Sequence, residues 1–288
     1  MTLDKPNFVI IGAQKAGTTS LYHYLDQHPD VFMSAIKEPR FFSHLAKLEA
    51  GIAHPGSEAV TSLEAYRHLF DNATAKAVGE ASVAYLDIPG TAHCMKQYIP
   101  HAKLIVLLRN PADRAYSQYL MHVREGTEHD RFEDAIVKGR YLKGGFYHKK
   151  LVPFFHHYGS QAIGVYFYDD LCHDPQALVQ HIFRFLEIDD TFAPDLTVRH
   201  NVGGKPKNEW IARLFSMRRL NAFIKRIAPF WLVRMGISFK QLNYSRAPMP
   251  PHVRNKLLEI YKEDILALEH LLNTDMSRWL ALEKETTA

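Results

Sequence analysis

The sequence predicts an α/β fold: a central, mainly parallel sheet with helices on both faces. Three observations carry this. Short apolar runs recur at 7–12, 104–108 and 162–171, and each leads into helical spacing. The run 104–108, LIVLL, is apolar at every position, as a strand buried on both faces requires. Strands that alternate with helices in this way pair in parallel, joined by crossover helices.

The elements follow in order. NFVIIG (7–12) reads as a buried strand entering a helix through a glycine turn. DVFMSAIKEPRFFS (30–43) reads as extended chain interrupted at Pro39, and Pro39 biases Glu38 toward an extended backbone. Residues 53–62 read as a loop, and SLEAYRHLF as a short helix capped by Ser62. Residues 77–86 suit a strand and turn. After strand 104–108, Asn110 and Pro111 fit the cap and first position of a helix. Residues 147–159 form a helix and 162–171 a further strand. In the helix 174–188, Leu178, Ile182, Phe185 and Leu186 share one face. Residues 199–208 are a glycine- and lysine-rich loop, and 250–272 an amphipathic helix.

With 288 residues, 47% apolar and 23% charged, the chain can build a sizeable core. It lacks repeats, linkers and charge blocks, so it reads as one domain, 1–288, whose part 209–288 is helical. The formal charge of +4 favours anionic ligands without marking a nucleic-acid module. Cys94 and Cys172 make neither a disulfide framework nor a zinc cluster. The start of the chain shows no signal peptide, and no apolar run approaches the ~18 residues of a membrane span. The expectation is a cytoplasmic protein without a transmembrane segment. Nothing in the residues indicates an oligomeric state.

Gly12 and Gly17 keep the spacing of a phosphate-binding loop, G-x-x-x-x-G-K-[ST], which makes the fold P-loop-like with three layers, α/β/α. Thr18 stands where a nucleoside triphosphatase carries its lysine, and Lys15 lies inside the loop instead. Glycines let backbone N–H groups close around an anion, and the start of the following helix adds its positive end. Lys15, Thr18, Thr19 and Ser20 gather at that helix start; the alternative is a tight strand–helix turn without a ligand. Arg109 lies just past the carboxyl end of strand 104–108, where open α/β sheets bind ligands. Together with Ser117, eight residues on, it could hold a second phosphate. Alternatively Arg109 meets a carboxylate and Ser117 is a small buried residue.

IIGAQKAGTTSLYHYLDQHP and VLLRNPADRAYSQYLMH resemble the 5′-phosphosulfate and 3′-phosphate motifs of sulfotransferases. These enzymes use 3′-phosphoadenosine 5′-phosphosulfate (PAPS). The likeness extends over 7–208, and is nearest to the Golgi heparan sulfate enzymes and bacterial small-molecule sulfotransferases. It implies that Lys15, Ala16, Gly17, Thr18, Thr19 and Ser20 cradle the 5′-phosphosulfate, and that Arg109 and Ser117 hold the 3′-phosphate. Gly203, Gly204 and Lys205 look like the late loop that closes over the nucleotide, which in relatives reads Lys-Gly-Arg. KEPRFFS (37–43) resembles the catalytic segment, with Glu38 as general base; burial by the phenylalanine pair would suit that role.

The resemblance implies in-line transfer to a hydroxyl or amine of a small metabolite or saccharide. Lys15 would stabilise the leaving phosphate, with no metal. Arg40, Glu80 and Ser82 fall near the expected acceptor cleft, although a structural hydrogen-bonding role fits Glu80 and Ser82 equally. Arg40, Ser43 and Ala81 depart from the residues heparan-type relatives carry, which speaks against a heparan acceptor. Residues 210–240 mix aromatic and basic side chains. They read as a helix with an apolar inner face, as an acceptor wall, or as a membrane-surface helix. The competing functions are a P-loop kinase or NTPase, and a non-catalytic 3′-phosphoadenosine nucleotide-binding protein.

Overall fold

The computed structural model describes residues 2–52, 60–197, 205–206, 244–245 and 248–283. The chain divides into two compact units. The first holds Met1–Asn110, Phe146–His200 and Glu263–Met276; the second holds Pro111–Gly145, Asn201–Lys262 and Ser277–Ala288.

The first unit is built on five parallel strands: β1 (Phe8–Gly12), β2 (Val31–Met33), β3 (Ala77–Ala81), β4 (Lys103–Leu108) and β5 (Ile163–Phe167). Their order is β2-β3-β1-β4-β5. Phe8 lies opposite Gly79 on one side and Lys103 on the other, and Leu104–Leu108 runs beside Ile163–Phe167. Every residue of β1 and β3 is buried, and in β4 only Lys103 is not. Such strands have no solvated face, which is why their sequences read as continuous apolar runs.

The helices of this unit are α1 (Thr18–Leu25), α2 (Phe41–Glu49), α3 (Leu63–His68) and α4 (Thr91–Tyr98), followed after the second unit's segment by three more. For these we write α7 (Tyr147–Tyr158), α8 (Tyr168–His173) and α9 (Pro175–Leu186), keeping α5 (Pro111–Glu125) and α6 (Phe132–Val137) for the second unit. From β1 the chain moves toward β2, and later connections run back toward β5. Right-handed crossovers therefore put the two sets of helices on opposite faces. The packing follows this division, with α1 against α9, and α4 against α2 and α7. The sheet with its flanking helices is the P-loop-like α/β arrangement the sequence predicts.

Several predicted details hold. Ser62 caps α3 by accepting the Ala65 N–H at 3.2 Å, α5 begins at Pro111, and Asp174 caps α9 through the Ala177 N–H at 2.9 Å. Others need correction. The segment 30–43 is extended only at Val31–Met33, and from Phe41 it is helical. Phe41 and Phe42 are buried in α2, where Phe41 stacks on Tyr66 with ring centroids 4.7 Å apart. Glu38 is not extended either: its φ is 63°. Its N–H donates to the Ala81 carbonyl at 2.9 Å, and this pairing overrides the local preference before proline. In α9, Phe183 is fully buried, whereas Phe185 is half-buried. The strand predicted over 162–171 stops at Phe167, and Tyr168 starts a helix.

In the second unit, α5 carries Arg114, whose buried guanidinium meets Gln118 Oε1 at 2.9 Å and the Tyr141 carbonyl. The strands Lys205–Pro206 and Tyr244–Ser245 pair antiparallel. A long helix, Pro251–Leu272, closes the described chain with the short helix Ser277–Leu280; residues 263–272 of the former belong to the first unit. Residues 53–59 of the predicted loop and the basic aromatic stretch 210–240 lie outside the described residues.

Candidate active site

After β1 the chain turns to β2 on one side; after β3 it crosses to β4 on the other. The crevice beyond the carboxyl ends of β1 and β4 is therefore the switch point of the sheet, where ligands bind in open α/β folds. The loop 13–17 leaves β1 here. The Ala13 N–H donates to the Leu107 carbonyl at 2.8 Å, and the Ala16 N–H to the Ala13 carbonyl at 3.3 Å. Lys15 and Gly17 take left-handed φ values of 70° and 93°. At Gly17 only glycine fits, because a Cβ would lie 2.7 Å from Leu171 Cδ2 and 3.0 Å from the Tyr168 ring. Gly17 is the cap residue of α1. Thr18 is buried, while Thr19 and Ser20 are half-buried in the first turn, where N–H groups have no intrahelical partner.

Arg109 closes the other wall. Its Nη1 donates to the Lys15 carbonyl at 3.2 Å, and its guanidinium lies over the Tyr168 ring, 4.6 Å from the centroid. The Tyr147 hydroxyl donates to the Arg109 carbonyl at 2.8 Å. The structure thus joins the two anion-binding candidates that are 94 residues apart in the chain. Tyr168 and Tyr147 escaped the sequence reading; Tyr168 was read only as one of the aromatic residues within the predicted strand 162–171. Ser117 is half-buried on α5, in the second unit. Gly203 and Gly204 lie outside the described residues, and Lys205 begins the short strand Lys205–Pro206.

The segment after β2 forms the other side. The Glu38 side chain is 19% exposed, with Lys37 Nζ at 3.2 Å and Arg40 Nε at 3.5 Å. Glu38 Oε2 also accepts the Val83 N–H at 3.1 Å. Arg40, with φ 56°, donates its N–H to Ser82 Oγ at 3.0 Å, and Ser82 Oγ donates to Glu80 Oε2 at 2.9 Å. Tyr66 donates to Glu80 Oε1 at 3.2 Å, and Tyr85 also hydrogen-bonds to Glu80. Glu80 and Ser82 are fully buried. Burial pushes the Glu80 carboxyl up to about 7, with the nearby Glu38 charge adding to the rise and the three hydroxyls opposing it. Glu80 and Ser82 thus lie beneath the segment, supporting its backbone, and Arg40 is the one of the three acceptor-side candidates with solvent access.

Residues 5–219 match the model of the sulfotransferase domain. The chain belongs to this family. A solved sulfotransferase of Alicyclobacillus acidocaldarius resembles the sulfotransferase chain described here with a TM-score of 0.71 and 27% identity, over 97% of this chain and 100% of that one. The sulfotransferase domain from the curacin biosynthetic pathway shares the fold, with a TM-score of 0.50 and 14% identity over 70% of this chain and 80% of that one. Among curated relatives, the bifunctional heparan sulfate N-deacetylase/N-sulfotransferase 1 of Caenorhabditis briggsae is 27% identical over 73% of this chain and 25% of its own length. The membrane-associated sulfotransferase kil1 of Dictyostelium discoideum is 36% identical over 40% of this chain and 22% of its own length. The chain therefore spans about a quarter of these curated relatives. Among the described residues of this sulfotransferase, no helix is long and apolar enough to cross a membrane.

Proposed function

We propose that the chain transfers a sulfuryl group from PAPS to a hydroxyl or amine of a small molecule or saccharide. The observation that carries this reading is the Arg109–Lys15 junction at the switch point. The Arg109 guanidinium, the backbone of the lysine-bearing loop and a helix start share one loop edge there, a donor set that suits a nucleotide with phosphates at both ends. The glycine at position 17 keeps this turn open, and Thr18 in place of the NTPase lysine fits a sulfuryl donor better than ATP.

PAPS supplies an activated sulfuryl group, whose bond to a phosphate oxygen breaks as its bond to the acceptor forms. Everything else falls to the chain. Lys15, Ala16, Gly17 and the first turn of α1, through Thr18, Thr19 and Ser20, hold the 5′ end, and Lys15 offsets charge growing on the departing oxygen. Arg109, with Ser117, binds the 3′-phosphate, and Gly203, Gly204 and Lys205 close over the nucleotide. Glu38 takes the proton from the acceptor. Arg40 faces the acceptor, while Ser82 and Glu80 hold the base segment from below.

Calorimetry with 3′-phosphoadenosine 5′-phosphate (PAP) and AMP tests the reading. A buried charge-assisted contact to the extra phosphate is expected to favour PAP by about 100-fold. Equal affinities would overturn it.

A further inference from the structure

Arg109 is held at three points: by the Lys15 carbonyl, by the Tyr168 ring and, through its own carbonyl, by the Tyr147 hydroxyl. Tyr147 is fully buried at the start of α7. Phenylalanine would fill the same space, so the hydroxyl contributes a directed bond rather than volume, and buried hydroxyls need such a partner. Its partner is the backbone of the arginine at the strand end.

The start of α7 is itself held from the C-terminal part of the chain. Asp264 Oδ2 accepts the His148 N–H at 3.1 Å. First-turn N–H groups have no intrahelical partner, and a carboxylate at that end also meets the positive end of the helix. Asp264 is only 7% exposed, and its Oδ1 has no hydrogen-bond partner among the described residues. Burying a carboxylate oxygen in this way is costly, so the bond through Oδ2 must offset that cost. All of these residues lie in the first unit, yet Asp264 lies beyond the 5–219 family match.

We propose that Tyr147 and Asp264 are positioning residues for Arg109. The C-terminal helix thereby sets how strongly the site prefers a 3′-phosphorylated nucleotide. This rests on the function proposed above. Tyr147 fixes the carbonyl of Arg109, which fixes where the guanidinium leaves the strand end. Asp264 fixes the turn that carries Tyr147.

The test is the ratio of PAP to AMP affinity by calorimetry, with circular dichroism and thermal melting to confirm folding. Tyr147→Phe is expected to lower PAP affinity about 10-fold, the worth of one directed bond, and to leave AMP affinity unchanged. Asp264→Ala is expected to act in the same direction, and Asp264→Asn, which keeps an acceptor for the His148 N–H, to restore most of the ratio. A purely structural role would weaken both nucleotides together. If folded Tyr147→Phe keeps the wild-type ratio, the proposal fails. Should Asp264→Ala not fold, Tyr147→Phe and Asp264→Asn decide: a lowered ratio for the first and a near wild-type ratio for the second support the proposal. A wild-type protein without any preference for PAP would instead sink the function proposed above, which separates the two failures.

Discussion

Residues 12–20 and residues 37–43 reach the same edge of one sheet, and both use left-handed backbone to get there. Lys15 and Gly17 do so in the first, with φ of 70° and 93°, and Glu38 and Arg40 in the second, with 63° and 56°. What holds the unusual turns differs. The first segment has a glycine where a side chain would collide, and its contacts include backbone-to-backbone bonds and the bond from Arg109 to the Lys15 carbonyl. The second has no glycine. Non-glycine residues at positive φ cost energy unless their surroundings over-determine them. Here the end of β3 does so, through Ala81, Ser82 and Val83, while Ser43 Oγ ties down the Arg40 carbonyl at 2.9 Å. One region turns on its own glycine, with Leu107 and Arg109 bonded to its backbone. The other is shaped by Ser82, 42 positions beyond Arg40, and by the buried Glu80 carboxyl that the serine hydroxyl meets.

The comparison can be broken most directly in the kinetics. Lys15→Ala and Glu38→Gln are each expected to lower kcat by roughly 10²–10⁴-fold. Single-turnover transfer from radiolabelled PAPS to an acceptor found by metabolite screening measures this. The two should part in binding: Lys15→Ala weakens PAP, whereas Glu38→Gln leaves PAP affinity near wild type. A similar loss of PAP affinity in both would dissolve the division between a nucleotide side and an acceptor side.

A smaller effect sharpens the account of the second region. The folded protein holds the Glu80 proton up to about pH 7, whereas an ordinary glutamate loses it near 4.5. Between those values the unfolded chain binds fewer protons than the folded one. Stability therefore falls as pH rises through that window, by on the order of 3 kcal/mol, and flattens above it. Glu80→Gln, neutral throughout, should lose this slope in urea melts taken across the window. An unchanged slope would show that Glu80 is not the buried titrating group.

The smallest effect is expected from Ser82→Ala. It leaves the Arg40 N–H and one Glu80 oxygen without their shared partner, a cost of about 1–3 kcal/mol. Ser82→Thr, which keeps the hydroxyl, should recover part of that stability. If the alanine variant is as stable as wild type, the tie between the serine and Arg40 does not hold the turn.

Much of the first region was legible in advance. A glycine loop after a continuous apolar run, a lysine within it and an arginine past a second such run are local patterns, and local patterns survive in sequence. The Glu38 segment was less so. Pro39 pointed to an extended Glu38, but a long-range bond to Ala81 reversed that bias. Glu80 looked like a polar residue near a cleft until its burial with Tyr66, Tyr85 and Ser82 became visible. No spacing along the chain announces such a meeting, because its members come from α3, the end of β3 and the turn that follows it. Tyr147 and Asp264 were hidden for the same reason.

By itself the sequence determined the α/β class, the strands β1 and β4, the glycine turn after β1 and the family resemblance. These depend on periodicity, turn chemistry and motif spacing over a few consecutive residues. Only the tertiary structure decided that Arg109 grips the Lys15 turn, that Glu80 and Ser82 lie beneath the Glu38 segment, and that Asp264 reaches the start of α7. Those contacts join positions distant in sequence, where burial and hydrogen-bond partnership are properties of the packed molecule and not of any one segment.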